Sequence, residues 1–183
     1  FIHFSTDHIY SKNFLQKENS KIKFLNYYAK SKYLGEKSIN HRNKCILRTN
    51  FFGKSKSNRD SFTDWIFMSI KKKKKVFLYN DVFFSPLSMQ SLSKYIMKII
   101  NKKIIGTYNL GSNNGMSKKD FCLCFAHFLK KKLIYESINI DKVNLKVKKP
   151  KDMRMNNQKI EKKLKIKLNN LTQELKISAN EYI

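Results

Sequence analysis

Tyr28 and Lys32 lie four residues apart in the stretch Asn26-Tyr-Tyr-Ala-Lys-Ser-Lys32. On a helix that spacing puts a phenol and an ammonium on one face, able to point into one site. A free tyrosine holds its proton to roughly pH 10, and a neighbouring cation favours the phenolate. A tyrosine so placed can give or take a proton at a carbonyl or alcohol carbon near neutral pH. Upstream, a strand-like opening, Phe1-Ile-His-Phe4, runs into Ser5-Thr-Asp7, so the Thr6 hydroxyl stands at a strand end where it could hold the same oxygen. Phenol, ammonium and hydroxyl together form a kit for carbonyl–alcohol redox chemistry. Taken alone, Tyr-x-x-x-Lys is a weak signal in a chain with 9 Tyr and 39 Lys plus Arg. The plain alternative is a surface lysine one turn after a half-buried tyrosine.

The elements that would position these groups alternate between strand and helix, which is the pattern of an α/β fold. Residues 1–4 read as a buried strand, 11–23 as a polar loop, and the Tyr28 helix follows, with the next strand at 45–47. Ser61-Phe-Thr-Asp64 reads as a helix start, Ser61 capping and Asp64 suiting the dipole, with Phe62, Trp65, Ile66 and Ser69 at helical spacing. A short strand at 76–79 precedes a helix at 88–101 that places Leu92, Tyr95, Ile96, Ile99 and Ile100 on one face. A strand at 107–110 comes next. Ser117-Lys-Lys-Asp120 then starts a helix whose stripe is Phe121, Cys124, Phe125, Phe128 and Leu129. Stripes with such regular spacing belong to a core rather than to a platform for stacking bases.

The surroundings of the pair add specificity. Phe4-Ser-Thr-Asp7, Tyr28-Ala-Lys-Ser-Lys-Tyr-Leu-Gly-Glu36 and Leu47-Arg-Thr49 together resemble the extended short-chain dehydrogenase/reductase superfamily. Within it the likeness is to the dTDP-4-dehydrorhamnose reductase family, with its Ser-Thr-Asp, Tyr-Gly-x-x-Lys-x-x-Gly-Glu and Arg-Thr-Ser-Trp segments. Leu47-Arg-Thr-Asn-Phe-Phe-Gly53 takes the place of the last of these, with Phe51 where the tryptophan would stand. Asn80-Asp-Val-Phe-Phe-Ser-Pro86 resembles a segment containing Gly-Ser-Pro-Thr, with Phe84 for the glycine and Leu87 for the threonine. Gly106-Thr-Tyr-Asn-Leu-Gly111 is similar to a late family strand. Lys149-Pro-Lys-Asp152 with the stretch 157–164 is similar to the closing Arg-Pro segment and its short helix.

The resemblance implies the carboxy-terminal part of a Rossmann-type NAD(P)-binding fold plus a smaller substrate-binding α/β region. Residues 1–54 would be the second half of the nucleotide-binding domain, and 55–183 mainly the sugar-nucleotide region, with 85–112 returning to the Rossmann sheet. It implies NADPH or NADH as cofactor and a nucleotide-linked 4-keto-sugar as substrate, reduced at C4 in nucleotide-sugar and surface polysaccharide biosynthesis. Tyr28 would protonate the alkoxide, Lys32 would lower the proton affinity of Tyr28 and hydrogen-bond the nicotinamide ribose, and Thr6 would orient the carbonyl oxygen. Asp7 and Phe51 match positions that contact the sugar or nucleotide; their plain alternatives are a turn carboxylate and core packing. Phe51, Phe84 and Leu87 depart from the family in pocket segments, which bears on the identity of the sugar more than on the reaction type. An epimerase or dehydratase of the same superfamily and a non-catalytic regulatory subunit are the other readings the likeness allows.

No Gly-x-x-Gly-x-x-Gly turn for cofactor phosphates occurs among the 5 glycines, and the chain opens on Phe1 inside a hydrophobic strand. A carboxy-terminal fragment, inactive alone, is the expectation. The net charge of +26 raises nucleic acid as a partner. Only Arg42, Arg48, Arg59 and Arg154 supply guanidinium forks, however, and the lysines are dispersed, so no specific nucleic acid is expected. The run 71–75 reads as a solvated helix end. No apolar run reaches membrane-spanning length. Cys45, Cys122 and Cys124, with an odd count and no framework, suit a reducing cytoplasm, and neither they nor the histidines show metal-ligand spacing. A homodimer is among the allowed assemblies.

Overall fold

The computed structural model describes residues 1–10 and 15–183; positions 11–14 of the expected polar loop lie outside the described residues. In chain order the elements are β1 (Ile2–Thr6), α1 (Tyr27–Ser38), β2 (Cys45–Thr49), β3 (Phe51–Phe52), α2 (Phe62–Lys71), β4 (Val76–Tyr79), β5 (Phe83–Phe84) and β6 (Leu87–Ser88). Then come α3 (Met89–Asn101), β7 (Gly106–Leu110), β8 (Met116–Ser117), α4 (Lys118–Phe128), β9 (Tyr135–Ile138), α5 (Gln158–Leu164) and α6 (Leu171–Ala179). A 3-10 turn, Asp7–Ile9, follows β1 directly.

β1, β2 and β7 form a parallel sheet in the order β1-β2-β7, so residues 106–110 return to the strand that ends in Arg48-Thr49. The central strand β2 is buried at all five positions, as expected of a parallel strand covered on both faces. One face packs Cys45, Leu47, Tyr108 and Leu110 against Leu92, Tyr95 and Ile99 of α3 and against Ile160 and Leu164 of α5. A second core gathers Phe52, Ile66, Leu78, Phe84, Phe121, Phe125 and Leu175 around α2, α4 and α6. β4 pairs with β9 in parallel at its side.

Local chemistry accounts for the helix starts. Ser61 and Asp64 close a capping box at α2, Ser88 caps α3, and Ser117 caps α4. The exposed lysines 71–75 occupy the C-terminal end of α2, where cations suit the dipole. Gly111 is required by close approach: a Cβ there would stand 2.5 Å from the Ser85 carbonyl oxygen.

Two stripes differ from the sequence expectation. In α3, Leu92, Tyr95 and Ile99 are buried and Ile96 packs beside them as expected, whereas Ile100 is half exposed. In α4 the inward face is Phe121, Cys122, Phe125, Ala126 and Leu129, leaving Cys124 and Phe128 at its edge. In both helices the i, i+4 anchors set the rotation, so residues one step off them move to the flank.

Candidate active site

α1 carries the tyrosine–lysine pair, and the sequence gives it almost no apolar inward face. Asn26 caps it, accepting from the Ala29 backbone N–H at 2.9 Å. Only Ala29 and Glu36 are buried on this helix. Ala29 and Tyr33 pack in a small cluster with Ile9, Tyr10 and Met155, and a buried ion pair adds to that hold. The Arg48 guanidinium grips Glu36 in a fork, Nε to Oε1 at 3.0 Å and Nη2 to Oε2 at 2.7 Å, and both side chains are buried. Ser5 Oγ also donates to Glu36. The remaining Arg48 nitrogen donates to the Tyr10 hydroxyl at 2.8 Å and to the Glu18 carbonyl oxygen at 2.9 Å. The Tyr10 hydroxyl in turn donates to Asn109 Oδ1 of β7 at 2.8 Å. Burial pushes the Tyr10 phenol up to about 12, so it stays protonated. One continuous network thus ties β1, α1, β2 and β7 together. Glu36 and Arg48 lie in motif segments whose residue roles the sequence reading left unassigned, and no feature of either segment alone pairs them.

At the end of β1 the backbone turns sharply. Thr6 caps the 3-10 turn, its hydroxyl accepting from the His8 backbone N–H at 3.2 Å and donating to Asp7 Oδ1 at 3.3 Å. The Asp7 carboxylate is fully buried and also accepts from Asn50 Nδ2 at 3.0 Å. Burial raises the Asp7 pKa, against the His8 charge and the hydrogen bonds from Asn50 and Thr6. Burial lowers the His8 pKa, opposed by Asp7 and reinforced by the charges of Lys118 and Lys149. His8 Nδ1 is buried and has no hydrogen-bond partner among the described residues.

Tyr28 meets this turn. Its ring stands edge-on to the His8 imidazole with centroids 5.6 Å apart, and the tyrosine is 55% exposed. Tyr27 is 88% exposed. The structure therefore brings Tyr28, Thr6, Asp7 and His8 to one place, at the carboxyl ends of the parallel strands where open α/β sheets bind ligands. Lys32, one turn further along α1 and partly exposed, lies near His3 of β1. Phe51 is half exposed and faces elsewhere. It borders a cleft of about 770 Å³ with Gly53, Ser61, Met89 and Glu181, whereas Tyr28 borders one of about 650 Å³ with Phe24, Lys146, Val147 and Lys148. Asn50, which hydrogen-bonds Asp7, links the two segments.

Three residues at this place carry no assigned role in the sequence reading. His8 directly follows Asp7, and a titratable side chain next to a motif was a usable signal. Lys118 and Lys149 come from the amino end of α4 and from the segment before Pro150, and nothing in their sequence spacing brings them to residue 8.

A parallel sheet with a Tyr-x-x-x-Lys helix closing on a Ser-Thr-Asp strand end defines a Rossmann-type α/β protein. The family model for the RmlD substrate binding domain matches residues 1–183, and the chain belongs to that family. Among solved structures it is similar to dTDP-4-dehydrorhamnose reductase from Bacillus anthracis in complex with NADP, with a TM-score of 0.89 at 20% identity over 98% of this chain and 65% of that one. The corresponding enzyme from Yersinia enterocolitica gives 0.87 at 20% identity, over 100% of this chain and 66% of that one. A dTDP-glucose 4,6-dehydratase from Bacillus anthracis in complex with NAD gives 0.76 at 17% identity, over 99% of this chain and 60% of that one. These likenesses establish the fold. The chain spans about 65% of the length of the first reductase structures it matches. No curated protein sequence matches it. Among the described residues no helix is long and apolar enough to cross a membrane.

Proposed function

We propose that this chain carries the proton-donating and sugar-binding part of an NAD(P)H-dependent reductase that acts on the C4 keto group of a nucleotide-linked deoxysugar. The observation that carries this reading is the meeting of a half-exposed Tyr28 with the Thr6–Asp7–His8 turn at the carboxyl ends of the strands, in a chain of the RmlD family. The setting is cytoplasmic nucleotide-sugar biosynthesis, and unpaired Cys45, Cys122 and Cys124 agree with a reducing compartment.

The residues present fit one end of a nicotinamide cofactor. Tyr28 and Lys32 share a face of α1 and both reach solvent, which suits hydrogen bonding to a ribose. When bound, the reduced nicotinamide supplies hydride to the carbonyl carbon. The chain's own residues do the rest. Tyr28 gives its proton to the oxygen as the C4 carbonyl becomes an alkoxide. Thr6, fixed by its two internal hydrogen bonds, limits where that oxygen can sit. Asp7 is a positioning residue: its buried carboxylate holds Thr6 on one side and Asn50 on the other. Lys32 holds the ribose hydroxyls that set the cofactor's reach.

The test follows nicotinamide oxidation by the complete gene product with a panel of nucleotide-linked 4-keto-sugars. A product reduced at C4 supports the reading. Binding of these sugars with no reduction of any of them removes it.

A further inference from the structure

Lys118 is the first residue of α4, within electrostatic reach of Asp7 and His8, and its charge is poorly accommodated by the protein alone. Its ammonium lies over the rings of Phe62 and Phe84, 5.5 and 5.7 Å from their centroids. Among the described residues it has no ion-pair or hydrogen-bond partner. Its neighbours of like sign are Lys149 and His8, which Lys118 also faces. A cation at the amino end of a helix is opposed by the dipole as well. The first-turn acid Asp120 does not answer it, since that carboxylate takes the Ser117 hydroxyl at 2.6 Å and lies 3.9 Å from Lys119. The carboxylate whose charge reaches it is that of Asp7, whose oxygens already serve Thr6 and Asn50.

A sheltered cation on an aromatic bed, with a second lysine and an unpartnered imidazole nitrogen beside it, is arranged for an anion from outside. We infer that the Lys118 ammonium receives an anionic oxygen group of the substrate, a diphosphate oxygen of the nucleotide or a carboxylate on the sugar. This rests on the reductase reading, because the receptor lies beside the place where that reading puts the carbonyl. Lys149, exposed at the rim, supports the same charge from farther away. Phe62 and Phe84 cover one side of the ammonium, so an anion has to reach it from another side.

The inference is tested by calorimetric titration of the full chain with UDP-glucose, dTDP-glucose and UDP-glucuronate. Lys118→Met keeps the alkyl stem on Phe62 and Phe84 while removing the charge, and Lys118→Arg restores a cation. The expected result is binding weakened on the order of tenfold or more in Lys118→Met, the size of one charge-assisted hydrogen bond, and largely retained in Lys118→Arg. Loss with all three ligands identifies the diphosphate, and loss confined to UDP-glucuronate identifies the sugar carboxylate; either supports the receptor. Equal affinities of Lys118→Met and the unaltered chain for all three ligands overturn it and leave the reductase reading standing. Normal Lys118-dependent binding without nicotinamide oxidation does the reverse. A chain that binds none of the three removes both. A thermal melt of Lys118→Met checks its fold, and Lys118→Gln under the same titrations serves if the Met variant does not fold.

Discussion

Two buried or half-buried charged groups sit at opposite ends of the Tyr28 helix, and they are treated oppositely. At the carboxyl end, Glu36 and Arg48 satisfy each other in a fork, with Ser5, Tyr10 and the Glu18 carbonyl taking up the rest of their hydrogen-bonding capacity. At the amino end, Asp7, His8 and Lys118 crowd together with a raised carboxyl, a lowered imidazole, a lowered ammonium and no fork among them. Burial opposes the charged forms of Asp7, His8 and Lys118, and they are compensated less well than the fork. Asp7 takes hydrogen bonds from Thr6 and Asn50 and lies 4.0 Å from His8 Nε2, while the Lys118 ammonium has no ion-pair partner among the described residues. The paired end builds the scaffold. We read the other end as the place where a ligand would complete the chemistry, because perturbed charges in a cleft mark candidate functional sites.

The largest effect that sharpens this contrast is at the clamp. Arg48→Ala leaves Glu36 buried and alone and is expected to lower stability by about 3–5 kcal/mol, read as a shift in the urea midpoint. The double change Glu36→Leu with Arg48→Met removes both charges and should cost less than the single one. A double variant as unstable as Arg48→Ala would show that the fork is not what holds α1.

At the unpaired end the sign reverses. Asp7 has a folded pKa above its ordinary 3.8, so it favours the folded state below that value, and the contribution is lost as pH rises through the elevated folded value. Asp7→Asn should therefore make the chain more stable at pH 7, with the difference closing toward pH 3.8 and below. A variant that is less stable than the parent at pH 7 and equal to it in acid would contradict this assignment of the carboxylate. The smallest expected effect is at α2, whose capping box presents Phe62 beneath Lys118. Ser61→Ala should cost about 1 kcal/mol, visible as a modest drop in melting temperature. No change there would mean that Asp64, through Ser55 and Tyr182, holds the turn without Ser61.

Much of this architecture was legible in the chain. The starts at Ser61 and Ser117 are short-range signals, and each begins a helix where the sequence placed one. The apolar strands around residues 45 and 107 were equally plain. The illegible parts depend on distant partners. β4 takes β9 as its neighbour across more than fifty residues. α6 is needed because Glu174 accepts from the Ser88 N–H and hydroxyl at the start of α3. At the site, Tyr28, Thr6 and Asp7 stand together, whereas Phe51 borders a different cleft. Its motif position carried no information about where the ring would face. Lys118 was hidden for the same reason as Glu174: only the folded chain makes residues 7 and 118 neighbours.

The central claim is that Tyr28 donates the proton in a carbonyl reduction. It is tested most directly by the rate of nicotinamide oxidation in the complete gene product carrying Tyr28→Phe, beside the unaltered protein, with a turned-over 4-keto-sugar nucleotide. Because removing a positioned general acid costs about 10²–10⁴ in rate, the account predicts a fall of that size with the melting temperature unchanged, since the half-exposed ring makes no hydrogen bond through its hydroxyl among the described residues. Full activity in Tyr28→Phe would contradict it.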